Sequence, residues 1–512
     1  MALAMEGYST VFALEELNVE EQESLLYLLS SYTKKIGANL KFDIKTLSKK
    51  FAEIEPTTYF DVTIASKLLD ENGDHDLETL AQKYLGTEMW KLDYKVEHTL
   101  EEWKAHCLKD TEILLPLADK MYTLLEDKNL LDLFAQEMIV QKVFTKAEIK
   151  GVPVDTEYLT SLLIKYRRHI CRIEKLVFKY SGIEFNVNST KQLADLLYNK
   201  YALPILTRTI KGEPSTDTKT LAKLTKCQTL CKIPQAVLLY RHWEMLARHI
   251  EKLLGESIDG KIYATFNTIG TETGRFSSTE PNLQQIPSKT HESRAIRKAF
   301  VGPMVVLDYS NVELRLLAHF TRDPELLKVY QPGGPGDLHQ TTADKLGISR
   351  NQAKTINFGI SYGMGPKKLS ESINVSEDTA REMLDAWFRL YAFVNPWKRL
   401  IVNQIKKYGF VRSIGSRMRR INYSSLAMRE QYSAEREAVN FVIQGSSADI
   451  TKYAIARLQD EDIRMQVHDE IVIYNPKRTL EEIKQLAETV VTLKVPLVVD
   501  IKLCERWSDM KE

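Results

Sequence analysis

Arg350, Lys354, Phe358 and Tyr362 recur every four residues in one stretch, Arg-Asn-Gln-Ala-Lys-Thr-Ile-Asn-Phe-Gly-Ile-Ser-Tyr-Gly. On an α-helix a step of four turns the side chain by only about 40° and climbs about 6 Å. The spacing therefore predicts a helix with all four side chains on one slowly drifting stripe. Two cations followed by two rings is an uncommon order for a packing face. Cations suit a polyphosphate, and rings suit a sugar and a base. Such a helix could hold a nucleoside triphosphate from tail to base. It could equally be amphipathic, with two solvated charges and two core aromatics.

The chain around it is long enough for three or four domains, since 512 residues are available and a domain takes about 150. Hydrophobic residues make up 44% and charged residues 27%, which suits a globular chain with ample core. The net charge of only +1 means that a polyanionic partner has to be met by local basic patches. Cys107, Cys171, Cys227, Cys231 and Cys504 are scattered and odd in number, which suits a reducing compartment and no disulfide framework. Cys227 and Cys231 lack a second Cys or His pair nearby, which argues against zinc. No apolar run approaches the roughly 18 residues of a membrane span. The opening Met-Ala-Leu-Ala-Met-Glu lacks the basic start of a signal peptide. The expectation is a soluble cytoplasmic protein, in a bacterial or host cytosol or an organelle, with no membrane partner.

Residues 1–130 alternate strand-like and helical runs, an α/β pattern. Two acidic spots stand out there, Asp43 in Asn-Leu-Lys-Phe-Asp and Asp110 in His-Cys-Leu-Lys-Asp. They could converge on a metal or be solvated acids. Residues 131–258 read as long helices. In 155–180, Leu162, Ile170, Ile173 and Val177 mark one face, and Lys165, Arg167, Arg168, Arg172, Lys175 and Lys179 mark another. That basic face could follow a phosphate backbone or simply be solvated. The runs 271–278 and 281–287, with Arg275, Asn282 and Gln284, are dense in amides and hydroxyls. Arg436, Asn440 and Gln444 form a second stripe at four-residue steps. These are side chains that read groove edges and phosphates, although polar loops would also contain them.

Two acids share a setting. Asp308 ends the apolar run Val-Val-Leu, and Asp469 lies at the tip of a hairpin-like segment, 465–473. In adjacent antiparallel strands they would sit a few ångströms apart and repel unless divalent cations lay between them. Hard oxygen ligands favour Mg²⁺. Two metals about 3.5–4 Å apart clamp the attacking and leaving oxygens of an in-line phosphoryl transfer. With Arg350 and Lys354, the chemistry expected is nucleotidyl transfer.

In these motifs the chain resembles the family A DNA polymerases. Asp308-Tyr-Ser-Asn-Val-Glu-Leu-Arg315 matches the first palm motif, 350–363 the fingers motif Arg-x3-Lys-x3-Phe-Gly-x2-Tyr-Gly, and Val467-His-Asp-Glu470 the second palm motif. Residues 271–287, the Arg436/Asn440/Gln444 stripe and 409–420 add further matches, in the right order over about 130–512. The resemblance implies a multi-domain α+β right hand with palm, fingers and thumb, preceded by a truncated α/β ribonuclease H-like exonuclease domain. The boundaries implied are exonuclease-like 1–130, thumb 131–258, palm 259–330 and 425–512, and fingers 331–424. It implies DNA-directed DNA synthesis on primer–template DNA from dNTPs, by a monomer using two Mg²⁺, with Mn²⁺ as a substitute. Asp308, Asp469 and the Tyr309 carbonyl would hold the metals. Arg350, Lys354 and His339 would bind phosphates, with Lys354 donating a proton to the leaving group. Phe358 would stack on the incoming nucleotide, Tyr362 would flank the templating site, and Glu313 would exclude a 2′-hydroxyl. Arg275, Asn282, Gln284, Arg436, Asn440, Gln444 and His468 would line the minor groove of the primer–template.

The departures are informative. Asp43 and Asp110 match the second and third exonuclease motifs, but His106 stands where Tyr is usual. The first motif, Asp-x-Glu, has no match before residue 39. The expectation is a vestigial exonuclease without proofreading, and no flap-nuclease domain. Asn311 replaces a common Gln, and Ser416 a usual Gly. Two other readings compete: a single-subunit RNA polymerase, against which Glu313 and Phe358 argue, and a non-catalytic DNA-binding relic, against which the intact acids argue.

Overall fold

The computed structural model describes residues 1–5, 8–30, 34–51, 59–90, 92, 95–227, 231–361 and 363–511. It divides into two compact units. The first comprises Met1–Gly151, Thr265–Thr279 and Pro303–Cys504; the second comprises Val152–Ala264, Glu280–Gly302 and Glu505–Glu512. Among the described residues no helix is long and apolar enough to cross a membrane.

This division cuts the chain differently from the expected boundaries. The helix Leu131–Lys150 joins the first unit and not the helices that follow it. Its buried residues, among them Leu133, Phe134, Glu137, Met138, Val140, Gln141, Phe144 and Glu148, cover a broad face, with Asp132, Ala135 and Ile149 exposed on the other. A face this broad suits an element packed into a core. Residues 280–302 and 505–512, expected in the palm, belong to the second unit.

The centre of the first unit is a four-stranded sheet in the order Asp462–Val467, Glu470–Tyr474, Val301–Tyr309, Val499–Arg506. Met304 to Leu307 and Ile471 to Ile473 are fully buried. Their runs of β-branched and apolar residues suit a strand covered on both faces. Met304 pairs with Tyr474 and Asp308 with Glu470, antiparallel. At the N-terminal end, Ala2–Met5 and Tyr8–Val11 form a hairpin, and Lys35–Gly37 runs parallel to Tyr59–Asp61. Buried Asp61 accepts from the Asn39, Leu40 and Thr63 amides and from Gln141 Nε2. This one carboxylate fixes the turn into the helix that carries Asp43.

The two unusual residues both take left-handed backbone. Asn311 has φ +53° before the helix Val312–Thr321, and Ser416 has φ +68° in the turn joining Phe410–Arg412 to Met418–Arg420. Asn tolerates that region, whereas Ser enters it at a cost of roughly 1 kcal/mol.

In the second unit the helix Thr156–Ser181 packs on Ile233–Gly255, with Ile170, Ile173, Val177, Val237 and Tyr240 in a shared core. Asp155 caps the first helix through the Tyr158 amide. Lys165, Arg168, Arg172, Lys175 and Lys179 are exposed. Arg167 is not available in the same way, because it is paired with Glu244 at 2.7 Å and Glu251 at 2.5 Å.

The helix Arg350–Ser361 is supported in the first unit by Lys398, whose Nζ donates to the Ile360 carbonyl at 3.2 Å and lies 5.1 Å from the Phe388 ring centroid. Burial pushes the Lys398 ammonium down to about 8. Below that pH the folded chain holds a charge in a poorly solvated place. Between about 8 and the ordinary lysine value the unfolded chain binds the extra proton, so stability rises with pH in that window. Lys398→Met is expected to raise the thermal midpoint at pH 7 by roughly 2 °C. The gain should shrink as the melts are repeated toward pH 10.

Candidate active site

The sheet register brings the two acids together. Because Asp308 pairs with Glu470, Asp469 lies one step beyond, in the turn before that strand, and the Tyr309 amide approaches the Asp469 carbonyl at 3.5 Å. The turn is short, since Val467 also pairs with Glu470. His468 has φ +58° there and is exposed. Burial pushes the Asp469 carboxyl up, opposed by the charges of Arg275 and His468 and by the Ser447 hydroxyl at 3.4 Å. A poorly solvated carboxylate with a long hydrogen bond to Ser447 is suited to a cation. The donors are hard oxygens, as Mg²⁺ prefers. The Tyr309 phenol is tied to the Ala487 carbonyl at 2.7 Å, which leaves its main chain, and not its ring, on the side of the acids. Among the described residues no group of three or more His, Cys, Asp or Glu side chains is placed to hold a metal. The candidate set is therefore two carboxylates and a carbonyl.

Glu313, in the first turn of Val312–Thr321, is buried and bonded to Arg275 Nη2 at 2.5 Å. The pairing is visible only in the structure, since nothing in the spacing of Arg275 and Glu313 links a polar loop to a helix start.

Arg350 and Lys354 are exposed and Phe358 is half-buried on the predicted helix. Tyr362 lies outside the described residues. Arg350 is held by Asp337, with Nε and Nη2 each 2.9 Å from Oδ2. Asp337 also caps the helix Leu338–Leu346 through the His339 and Gln340 amides. Burial raises the Asp337 carboxyl, but the Gln340 amide and Arg350 outweigh it, and the net shift is downward.

His339 is buried, and its ring is 5.2 Å from that of Phe358, tilted by 49°. Its tautomer follows from Asn357. The Trp387 indole, a donor only, meets Asn357 Oδ1 at 2.7 Å. Asn357 Nδ2 therefore faces His339 Nδ1 at 3.1 Å, and Nδ1 must accept. The ring proton sits on Nε2. Burial lowers the His339 pKa, with Arg350 and Lys354 adding and Asp337 opposing. His339 is thus a neutral donor near neutral pH. Asp337, Asn357 and Trp387 were not found from sequence. An acid at the start of a helix thirteen residues before Arg350 was a visible signal for the first; the others read as core.

Arg436 is exposed and Asn440 and Gln444 are half-buried along the helix Met428–Arg457. The Arg350–Ser361 helix ends against this stripe. A Cβ on Gly363, at φ +65°, would lie 2.7 Å from Arg436 Cγ. Arg275, Arg436, Asn440, Gln444 and His468 belong to the first unit, and Asn282 and Gln284 to the second.

Asp43 and Asp110 sit on separate helices, Leu40–Lys50 and Leu100–Asp127. Asp110 accepts from the Trp90 indole at 2.8 Å and lies 3.6 Å from His106 Nε2.

The family model for DNA polymerase family A matches residues 156–509, and a model described as 3′-5′ exonuclease matches residues 2–126. The chain is 35% identical over 426 residues to DNA polymerase I of Geobacillus stearothermophilus, covering 77% of this chain and 48% of that one. It is 31% identical over 523 residues to DNA polymerase I of Pseudomonas aeruginosa, covering 93% and 56%. The chain thus spans about half the length of the curated relatives it matches. A solved structure described as the POL domain of Pol1 from M. smegmatis, in complex with DNA primer-template and dNTP, superposes with a TM-score of 0.90 at 27% identity, covering 100% of this chain and 93% of that one. Adjacent acids at a sheet end and a helix with exposed cations thus occur in a chain that the family model matches over most of its length: the chain belongs to DNA polymerase family A.

Proposed function

We propose that this chain is a template-directed DNA polymerase that extends a primer 3′-hydroxyl with dNTPs. The observation that carries the proposal is the antiparallel register that sets Asp308 beside Asp469. Asp308, Asp469 and the Tyr309 carbonyl would hold two Mg²⁺, which when bound lower the pKa of the 3′-hydroxyl and neutralise charge on the departing pyrophosphate. Lys354 and Arg350 meet the triphosphate from an exposed helix face. His339 Nε2 donates to a phosphate oxygen as a neutral imidazole and needs no proton from solvent. Lys354 gives its proton to the pyrophosphate. Phe358, fixed against His339, presents a ring to the sugar and base. Glu313, held by Arg275, fills the space beside C2′. Arg436, Asn440 and Gln444 face the minor groove, where acceptors common to all correct pairs report geometry and not sequence. The exposed cations of 165–179 offer a second, backbone-directed surface.

The exonuclease-like region is proposed to lack proofreading. The contacts of Asp110 with Trp90 and His106, which occupy that carboxylate, support this.

In a primer-extension assay, Asp308→Ala and Asp469→Ala are each expected to lower kcat by at least about 10²-fold. Unchanged rates would refute the metal site, and preference for rNTPs over dNTPs would refute the sugar assignment. Phe358→Tyr should relax discrimination against 2′,3′-dideoxynucleotides; chain-termination ratios equal to those of the unaltered chain would remove Phe358 from the sugar contact. With a 3′-labelled mismatched primer, no label should be released without dNTPs. Release abolished by Asp110→Ala would establish proofreading instead.

A further inference from the structure

We propose that Arg417 is a positioning residue for the reaction: its buried guanidinium holds the 271–276 loop so that Arg275 meets Glu313, and the choice of sugar depends on it. The inference rests on the reading of Glu313 as the group that excludes a 2′-hydroxyl.

Arg275 is partly exposed and sits on a short loop, yet it has to hold a buried carboxylate at 2.5 Å. The loop closes on itself through Gly274 N to Thr271 O at 2.9 Å, Arg275 N to Thr271 Oγ1 at 3.0 Å and Gly270 N to Arg275 O at 3.1 Å. Those bonds shape the loop but do not fix where it stands. Its two neighbours do that. Gly274 has φ +76°, and a Cβ there would lie 2.6 Å from Arg417 Cδ and Cζ. The glycine therefore rests directly on the arginine side chain. On the other side Phe276, buried, lies 4.7 Å from the Phe144 ring and 5.6 Å from Lys452 Nζ.

Arg417 and Lys452 are themselves locked. Arg417 Nε donates to Asp449 Oδ1 at 3.1 Å and Nη2 to Glu137 Oε1, and Lys452 Nζ is 2.6 Å from the same Glu137 oxygen. Asp449 Oδ2 takes the Gly415 amide at 3.0 Å and the Ser413 hydroxyl. All four charged side chains are nearly or fully buried. Two cations and two anions balance, as burial demands, because a lone charge there would be strongly destabilising. The network ties the helix Leu131–Lys150, the Ser413–Arg417 turn and the helix Met428–Arg457 into one platform. Both neighbours of Arg275 stand on it. An arginine fork suits this task better than a lysine, since it serves two carboxylates in one plane while offering a flat face to Gly274.

The test compares dNTP with rNTP incorporation as a ratio of kcat/KM, for Gly274→Ala, Phe276→Leu, Arg417→Lys, Arg275→Ala and the double variant Gly274→Ala/Arg275→Ala. Folding is checked by thermal melts. Gly274→Ala, Phe276→Leu and Arg417→Lys should each lower the dNTP preference in the direction of Arg275→Ala, by about tenfold for Gly274→Ala. In the Arg275→Ala background, Gly274→Ala should then change the ratio by less than about twofold. A general structural lesion would lower both rates and multiply with Arg275→Ala. An unchanged ratio in folded Gly274→Ala and Phe276→Leu, or multiplicative effects in the double variant, overturns the inference even if Arg417→Lys fails to fold. If Arg275→Ala leaves the ratio unchanged while primers are still extended, the inference falls and the polymerase reading stands. If the unaltered chain extends no primer, both fall.

Discussion

The antiparallel pairing of Val301–Tyr309 with Glu470–Tyr474 is the constraint on which the candidate site depends. The two strands come from distant parts of the chain, and their acids meet only because the pairing is in one particular register. In a sheet whose neighbours alternate sides, a slip of one residue would turn every side chain to the opposite face. Here the slip would take buried Met304 to Leu307 out of register with Ile471 to Ile473 and draw Asp308 away from the Asp469 turn. Hydrophobic burial along the strand therefore sets the place of the acid at its end. Stability and chemistry are linked by the same register.

Around that fixed point the other groups arrive on elements held by side chains, not by the sheet. The Arg350–Ser361 helix is keyed to its neighbours through buried Asn357, which joins the Leu338 carbonyl, Thr342, His339 and Trp387. The same amide fixes the imidazole tautomer, so packing and protonation are settled by one residue. Glu313 is set by the strand-to-helix turn at Asn311, whose left-handed backbone starts the helix immediately after the sheet.

Much of the site was legible in the sequence because its residues obey short-range periodicities. The four-residue stripe at 350–358 and the stripe at 436–444 each lie on a single helix, as their spacing required. The acids at 308 and 469 stood out because an apolar run ended in a charge. What stayed hidden depends on contacts between distant segments. Arg275 with Glu313, Asp337 with Arg350 and Glu137 with Arg417 carry no local signature, since each partner alone reads as a solvated charge. The grouping of the next helix with the first unit stayed hidden for a related reason. The helix Leu131–Lys150 resembles any long helix until its Gln and Glu residues are seen to be buried, and buried polar groups are specified by partners and not by period.

The ion pair of Arg350 with Asp337 has a consequence for nucleotide binding. In the proposed site the guanidinium already has an anion, one that also caps the neighbouring helix. An incoming phosphate must therefore share or replace a carboxylate and cannot simply neutralise a free charge. Occupancy becomes an exchange between anions. A ligand with a single phosphate has little to offer in that competition, whereas a triphosphate reaching Lys354 and His339 at once gains enough from them to offset the contact it disturbs. In the proposed site the pair would favour ligands that make several phosphate contacts over those that make one.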